Sequence, residues 1–323
     1  MELQSNFISS FCYNFYLRTL RYQRKFKFIR KYANRAWEKS LRAFRGETVI
    51  TSIHGSKVYS NYGYTYPIIC RTFPTYNFPL VELAYQTSRL KGSPISVVDI
   101  GAAIGDTVLL LEASCSGMIE KYYCVDGDDE FFKYLGANLS HKENVVLIKT
   151  FLSSTIGKAK SLVKIHPGTA SAQGNDDIAT TTLDQLTDSG LIGQFDLLKI
   201  DVDGFDGSVL LGSKRTLINN KPTIIFEWHP VLCTSTCNNW TDHFAALNDC
   251  GYDRFIFFDN YGNFSHFMNG IDNDALYSLA QILELKKHTH AEYFDVMAIH
   301  KAFSAKSEDL ATLDFARTHK HPC

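Results

Sequence analysis

From residue 95 to residue 303 the chain alternates between two kinds of hydrophobic pattern. Short, nearly continuous apolar runs fall at 96–100, 122–126, 145–150, 195–201 and 223–228. Between them apolar positions recur every three or four residues, as in Asp129–Ser140 and Gly207–Leu217. Continuous runs suit strands buried on both faces, and the wider spacing marks helices, so the alternation predicts a doubly wound α/β domain around a mostly parallel sheet. Two later strand-like runs, Arg254–Asn260 and Tyr293–His300, flank a helical stretch at Ala275–Lys287 and end the sheet in a hairpin, giving seven strands. Residues 153–180 break the rhythm with Gly157, Pro167, Gly168 and Gly174. A connection of that length is usually functional or disordered.

Ahead of this domain, Leu80–Leu90 reads as a helix leading into the first core strand, and residues 46–78, rich in Tyr, Thr and Gly, as a small hairpin or lid. Between Arg18 and Arg45 lie eleven basic residues against one acid, Glu38, while Phe26, Ile29, Ala33, Trp37, Leu41 and Phe44 repeat at helical spacing. Such a basic amphipathic helix either packs on the domain with its charged face solvated or attaches to an anionic membrane surface. The expected divisions are 1–45 (basic helical segment), 46–94 (hairpin and lead-in helix), 95–303 (the α/β domain) and 304–323 (a ragged tail).

The remaining composition narrows the class. With 45% hydrophobic residues and a net charge of −1 the chain is an ordinary globule, neutral to acidic outside residues 18–45, so nucleic acid is not an expected partner. No apolar run reaches the ~18 residues of a membrane span, and Met-Glu-Leu-Gln-Ser lacks the basic start and apolar core of a secretory signal. Eight scattered cysteines, without zinc spacing, read as reduced thiols. The expected location is therefore cytoplasmic, or peripheral to the inner face of a membrane if residues 18–45 bind lipid. The oligomeric state is open.

The candidate chemistry lies at the ends of the predicted strands. Asp99 closes the first, and Gly101, Ala102 and Gly105 then turn the chain into a helix opened by Asp106. This strand, glycine loop and helix N-terminus receive adenosine-bearing ligands. The dinucleotide fingerprint would need glycine at position 103, which is Ala103, so a pyrophosphate loses the bare backbone it packs against. An acid before the first glycine suits a cationic ligand such as S-adenosylmethionine instead. The second strand ends at Asp126, placed to accept from both ribose hydroxyls, with Gly127 letting the backbone pass close to adenosine. The fourth delivers Lys199, Asp201 and Asp203, whose charges either pair with one another or face a ligand. The fifth ends in Glu227 and His229, so that Asp201, Glu227 and His229 bracket a substrate hydroxyl as a general base or as ligands for one divalent cation. Tyr59, Tyr62, Tyr64 and Tyr66 offer an aromatic wall over the site or simple packing.

The ordered set Val-Val-Asp-Ile-Gly-Ala-Ala-Ile-Gly-Asp-Thr, Val-Asp-Gly-Asp-Asp-Glu-Phe-Phe-Lys-Tyr-Leu, Thr-Thr-Leu-Asp-Gln-Leu, Asp-Leu-Leu-Lys-Ile-Asp-Val-Asp-Gly-Phe-Asp and Ile-Ile-Phe-Glu-Trp-His-Pro resembles the FkbM-type methyltransferases over about residues 75–262. The resemblance implies a Rossmann-like class I methyltransferase fold and S-adenosylmethionine as cofactor. It also implies methylation of an oxygen on a sugar, glycan or natural product. It would set Asp99, Gly101 and Gly105 by the amino-acid end of the cofactor, Asp126 by its ribose, Phe151 and Leu152 near adenine, and Asp201 close to the methyl group. Two positions depart from the family pattern: Asp126-Gly127 stands where Glu-Pro is usual, and Asp203 where Glu is usual. Competing readings are an NAD-dependent oxidoreductase and a non-catalytic scaffold of the same fold.

Overall fold

The computed structural model describes residues 3–160, 163–166, 169–171, 177–285 and 292–303. Helix α1 (Phe7–Gln23) begins at Asn6, whose side chain accepts the Ile8 N–H, and buries Tyr13, Leu17 and Leu20 along one face. One more turn would carry that row to Arg24. Instead the Lys25 and Phe26 N–H groups bond back to the Tyr22 carbonyl, and a second helix, α2 (Lys27–Ala43), begins. The apolar row expected on this segment turns inward at its C-terminal half, where Trp37, Leu41 and Phe44 join Tyr13 and Tyr62. The Trp37 ring stacks on Tyr16 and Tyr62, with centroids 4.4 and 5.4 Å away. Beneath the helices runs the expected hairpin, β1 (Thr48–Ile53) and β2 (Ser56–Asn61). Its two turn residues, His54 and Gly55, both have positive φ, as a tight hairpin turn requires. Helices α3 (Tyr66–Thr72) and α4 (Phe78–Lys91) then lead to the core.

There β3 (Ile95–Ile100), α5 (Asp106–Ser114), β4 (Ile119–Asp126), α6 (Asp129–Leu139) and β5 (Val145–Lys149) alternate as expected. The long connection carries strands of its own: β6 (Phe151–Leu152), β7 (Gly157–Lys160), β8 (Val163–His166), β9 (Thr169–Ser171) and β10 (Asp177–Thr181). Of these, β6, β10 and β7 form a small sheet. The second half contains α7 (Leu183–Asp188), β11 (Leu197–Ile200), α8 (Asp206–Leu211), α9 (Lys214–Asn220), β12 (Thr223–Trp228), α10 (Pro230–Ser235) and α11 (Asp242–Asp249). It closes with β13 (Tyr252–Asp259), β14 (Phe264–Asn269), α12 (Asn273–Leu285) and β15 (Phe294–His300). The helix expected at Gly207–Leu217 is thus two, broken at Gly212–Ser213. The expected tail, 304–323, lies outside the described residues.

The central sheet has the order β14-β13-β15-β12-β11-β3-β4-β5, which is eight strands and not the expected seven. The extra strand is β14, an edge strand antiparallel to β13, and its Phe-Ser-His-Phe-Met-Asn pattern is mostly exposed. Pairing from β12 through β5 is parallel, and β15 inserts antiparallel between β12 and β13. Alternation along each strand divides the core in two. Val97, Leu197, Ile225 and Met297 face α4, α5 and α6, whereas Val98, Leu198, Ile224 and Val296 pack on the opposite face.

Candidate active site

The chain runs from β3 out to β5 and returns to β11 on the other side of β3, so the topological switch lies between β3 and β11. Open α/β sheets bind ligands there, beyond the carboxyl ends of the strands. The same alternation that sends Val97, Leu197, Ile225 and Met297 to one face sends Asp99, Lys199, Glu227 and Asp295 to it as well, on four adjacent strands. Asp99 lies opposite Lys199 and Glu227 opposite Asp295 in the register. The Lys199 Nζ donates to Asp99 Oδ1 at 3.0 Å and lies 3.3 Å from Asp201 Oδ2. Asp99 is fully buried, and its Oδ2 has no partner among the described residues. Burial alone would pull the Lys199 ammonium down, but Asp99, Asp201 and Asp106 hold it well above the usual lysine range. Burial pushes Glu227 well up, with Asp201 and Asp203 adding to it, and pushes Asp295 up to about 8, with Asp201 adding.

The other end of the site is built by the loop between β3 and α5. Gly101 has φ +81°, and a Cβ there would lie 1.9 Å from the Asp201 carbonyl oxygen, so only glycine lets the ends of β3 and β11 close together. The Ala103 N–H, at φ +45°, donates to Asp126 Oδ2 at 2.8 Å, and the Asp128 N–H to Asp126 Oδ1 at 2.9 Å. Burial nevertheless pushes the Asp126 carboxyl up to about 7, against those two bonds. The Phe151 ring lies over Gly127, where a Cβ would meet it at 2.5 Å. At the start of α5, Asp106 accepts from the Tyr64 hydroxyl at 2.8 Å, and burial pushes it up to about 6.

Between the two ends lies a cavity of about 350 Å³, at the small end of small-molecule sites, which run roughly 300–1,000 Å³. Among the expected site residues, Gly101, Asp106, Asp126, Gly127, Phe151 and Leu152 line it, and so do Lys199, Asp201 and Glu227. Four do not. Asp99 sits behind Lys199, Ala102 is buried in the core, and Gly105 is the N-cap of α5. His229 is the N-cap of α10, its Nδ1 accepting the Leu232 N–H at 3.3 Å ahead of Pro230, so its ring serves the backbone at the position such a cap occupies. Of the four lid tyrosines, Tyr64 and Tyr66 line the cavity; Tyr62 packs under α1 and α2. Sequence reasoning missed Tyr76 and Tyr293 on the wall and Asp295 beside Glu227. The signal for Asp295 was an acid inside the apolar run Phe-Asp-Val-Met-Ala-Ile.

The residues fit a cationic adenosine derivative. Lys199 is the only lysine or arginine among the described residues lining the cavity, against Asp106, Asp126, Asp128, Asp201, Asp203 and Glu227. The Ala103 amide that a pyrophosphate would need is committed to Asp126. No group of three or more His, Cys, Asp or Glu side chains among the described residues is placed to hold a metal ion.

A parallel sheet with this order, an antiparallel strand inserted near one edge and an acid-tipped second strand define the Rossmann-like fold of class I methyltransferases. Residues 99–254 match the family model of the methyltransferase FkbM domain, and the chain carries that domain. No curated protein matches the sequence. Among solved structures, the chain is similar to a methyltransferase FkbM from Methylobacillus flagellatus KT (16% identity, 50% of this chain and 40% of that one, TM-score 0.37). It is also similar to a SAM-dependent methyltransferase from Agrobacterium tumefaciens (8%, 79% and 70%, TM-score 0.41). A third is a precorrin-6y C5,15-methyltransferase from Geobacter metallireducens GS-15 (13%, 69% and 88%, TM-score 0.34). The chain thus spans about two fifths of the length of the Methylobacillus protein.

Proposed function

We propose that the chain is an S-adenosylmethionine-dependent methyltransferase acting on a hydroxyl oxygen of a sugar, glycan or related natural product. One observation carries the reading: a single cavity has Asp126, fixed by two backbone N–H groups, at one end and the Lys199-anchored carboxylates at the other. Each Asp126 oxygen keeps an acceptor site after its amide bond, so the carboxylate takes hydrogen bonds from a vicinal diol. Phe151 and Leu152 give an apolar slot for a purine beside it. The surplus of carboxylates offsets a sulfonium and an ammonium. S-adenosylmethionine, when bound, supplies a methyl group already made electrophilic by its positive sulfur.

The chain's own task is then mostly positioning. Lys199 holds Asp201, whose half-exposed side chain lies on the cavity wall. Asp201 takes the proton of the acceptor hydroxyl as its oxygen attacks, which adds to the rate because an alcohol is a poor nucleophile at neutral pH. Glu227, held toward its protonated form by burial, donates a hydrogen bond to the same acceptor. Tyr64, Tyr66 and Tyr293 line the cavity with aromatic surface suited to a sugar ring, the Tyr64 and Tyr66 hydroxyls being bonded to Asp106 and His54. His229, occupied as a helix cap, has no catalytic role in this reading.

The test is mass spectrometry for a gained methyl group across a panel of saccharides, lipids and glycopeptides, with the parent and with Asp201→Asn. The parent transfers to a hydroxylated acceptor, and Asp201→Asn binds the cofactor without turnover. Full turnover by Asp201→Asn would overturn the base assignment. Transfer only to nitrogen acceptors would overturn the oxygen assignment.

A further inference from the structure

We infer that one face of α1 docks this protein on an anionic lipid bilayer. At 100° per residue, Phe7, Ile8, Phe11, Phe15, Arg18 and Tyr22 fall within one quadrant or so of the helix, opposite the buried row of Tyr13, Leu17 and Leu20. Phe7 is 81% exposed, and Phe11 and Phe15 are each 59% exposed. The row expected to meet a membrane, Phe26 to Phe44, is not this one: its C-terminal half packs inward, and the open aromatic face belongs to the helix before it.

This face is not the loose side of a fraying helix. The Asn14 side chain donates to the Ile50 carbonyl at 2.8 Å, Ser10 accepts the Ile50 N–H at 3.1 Å, and the Tyr13 hydroxyl donates to the Tyr64 carbonyl at 2.5 Å. A pinned helix that leaves three phenylalanines in water is an exposed apolar patch, and such patches mark interaction surfaces. A cavity of about 410 Å³ lies along it, lined by Phe7, Phe11, Phe15 and Ile50 together with the cations Arg18 and Lys57.

The charge beside the patch selects the occupant. Residues 18–45 carry a net +10 (eleven basic residues less Glu38), although the whole chain carries −1. Arg21, Lys25, Lys27, Arg30 and Lys31 are all exposed where α1 passes into α2. A nucleic acid would use the cations and leave the phenylalanines wet. A second copy of the chain would cover the phenylalanines and set like charges against each other. An anionic bilayer uses both, with Phe side chains at the acyl boundary and Lys and Arg at the phosphate level.

The experiment is co-sedimentation of the full chain with phosphatidylcholine vesicles containing about a third phosphatidylserine, or none, over a salt series. The parent pellets with anionic vesicles, not with neutral ones, and less so at high salt. Phe7→Ser/Phe11→Ser/Phe15→Ser and Lys25→Glu/Lys27→Glu/Arg30→Glu/Lys31→Glu each lower the partition coefficient at least about tenfold. Circular dichroism shows that each stays folded; should the phenylalanine variant unfold, the charge variant, altered only at exposed positions, decides. Equal pelleting of parent and charge variant would overturn the inference. So would indifference to phosphatidylserine, or a dimer in sedimentation velocity that dissociates in the phenylalanine variant without any vesicle binding.

Discussion

Replacing Lys199 by Met tests the electrostatic frame beneath the site. The ammonium is bonded to Asp99 at 3.0 Å, and Asp99 is fully buried. Removing the cation strands an uncompensated carboxylate beside the Val97–Leu197 core, a change that costs about 3–5 kcal/mol in comparable buried pairs. The second contact, to Asp201 at 3.3 Å, adds little, because that side chain is 49% exposed and solvent limits such pairs to about 0–1 kcal/mol. Nearly all of the loss therefore runs through Asp99. For a chain of this size each kcal/mol lowers Tm by about 2 °C, so Lys199→Met melts roughly 6–10 °C below the parent. Asp99→Asn in the same chain neutralises the stranded group and recovers at least half of the loss, the non-additivity expected of contacting residues. Thermal melts of the four proteins of the cycle decide. A fall under about 2 °C in Lys199→Met, or no recovery in the double variant, would show that Asp99 does not depend on the Lys199 cation.

Two further outcomes follow from the other end of the site. The Asp126 carboxyl is pushed up to about 7 by burial. For the apo fold, its protonated form contributes stability that is fully present below the unfolded aspartate value, about 4, and lost as pH rises through about 7. Ligand binding runs the other way, because a diol is held by the carboxylate. S-adenosylmethionine affinity therefore rises between roughly pH 6 and 8, and Asp126→Asn flattens that rise; an unchanged slope in Asp126→Asn would contradict the assignment. Gly101→Ala places a Cβ 1.9 Å from the Asp201 carbonyl oxygen at φ +81°. It lowers stability by at least about 3 kcal/mol, seen as a collapsed melting transition or loss of soluble protein.

Those predictions rest on residues of unequal legibility. The β3–loop–α5 unit, Asp126 and the strands carrying Lys199 and Glu227 were readable because each is encoded locally, by an apolar run with its charge at one end. The family resemblance drawn from the same residues agrees with the domain matched at 99–254. Asp295, Tyr76 and Tyr293 were not readable as site residues: Tyr76 reaches the cavity from the segment between α3 and α4 and Tyr293 from just ahead of β15, and Asp295 stands beside Glu227 only because the expected strand at 293–300 pairs antiparallel with β12. The count of seven strands failed on β14, whose half-polar pattern buries only Met268, with His266 half-buried on the same face. The single basic helix expected at 18–45 proved to be the end of α1, a turn and α2, because the tyrosine and leucine row of α1 has no apolar successor at Arg24. His229 was legible as a strand-end histidine, and its following proline carried the capping signal that a search for catalytic groups passes over.

In the proposed function the cavity holds S-adenosylmethionine with its ribose on Asp126. Isothermal titration of S-adenosylmethionine against the parent, Asp126→Ala and Asp201→Asn, with NADH titrated in parallel, tests it most directly. One saturable site is expected in the parent and in Asp201→Asn, with loss of that site in a folded Asp126→Ala and no binding of NADH. Absence of S-adenosylmethionine binding to the folded parent, or undiminished binding by Asp126→Ala, would contradict it.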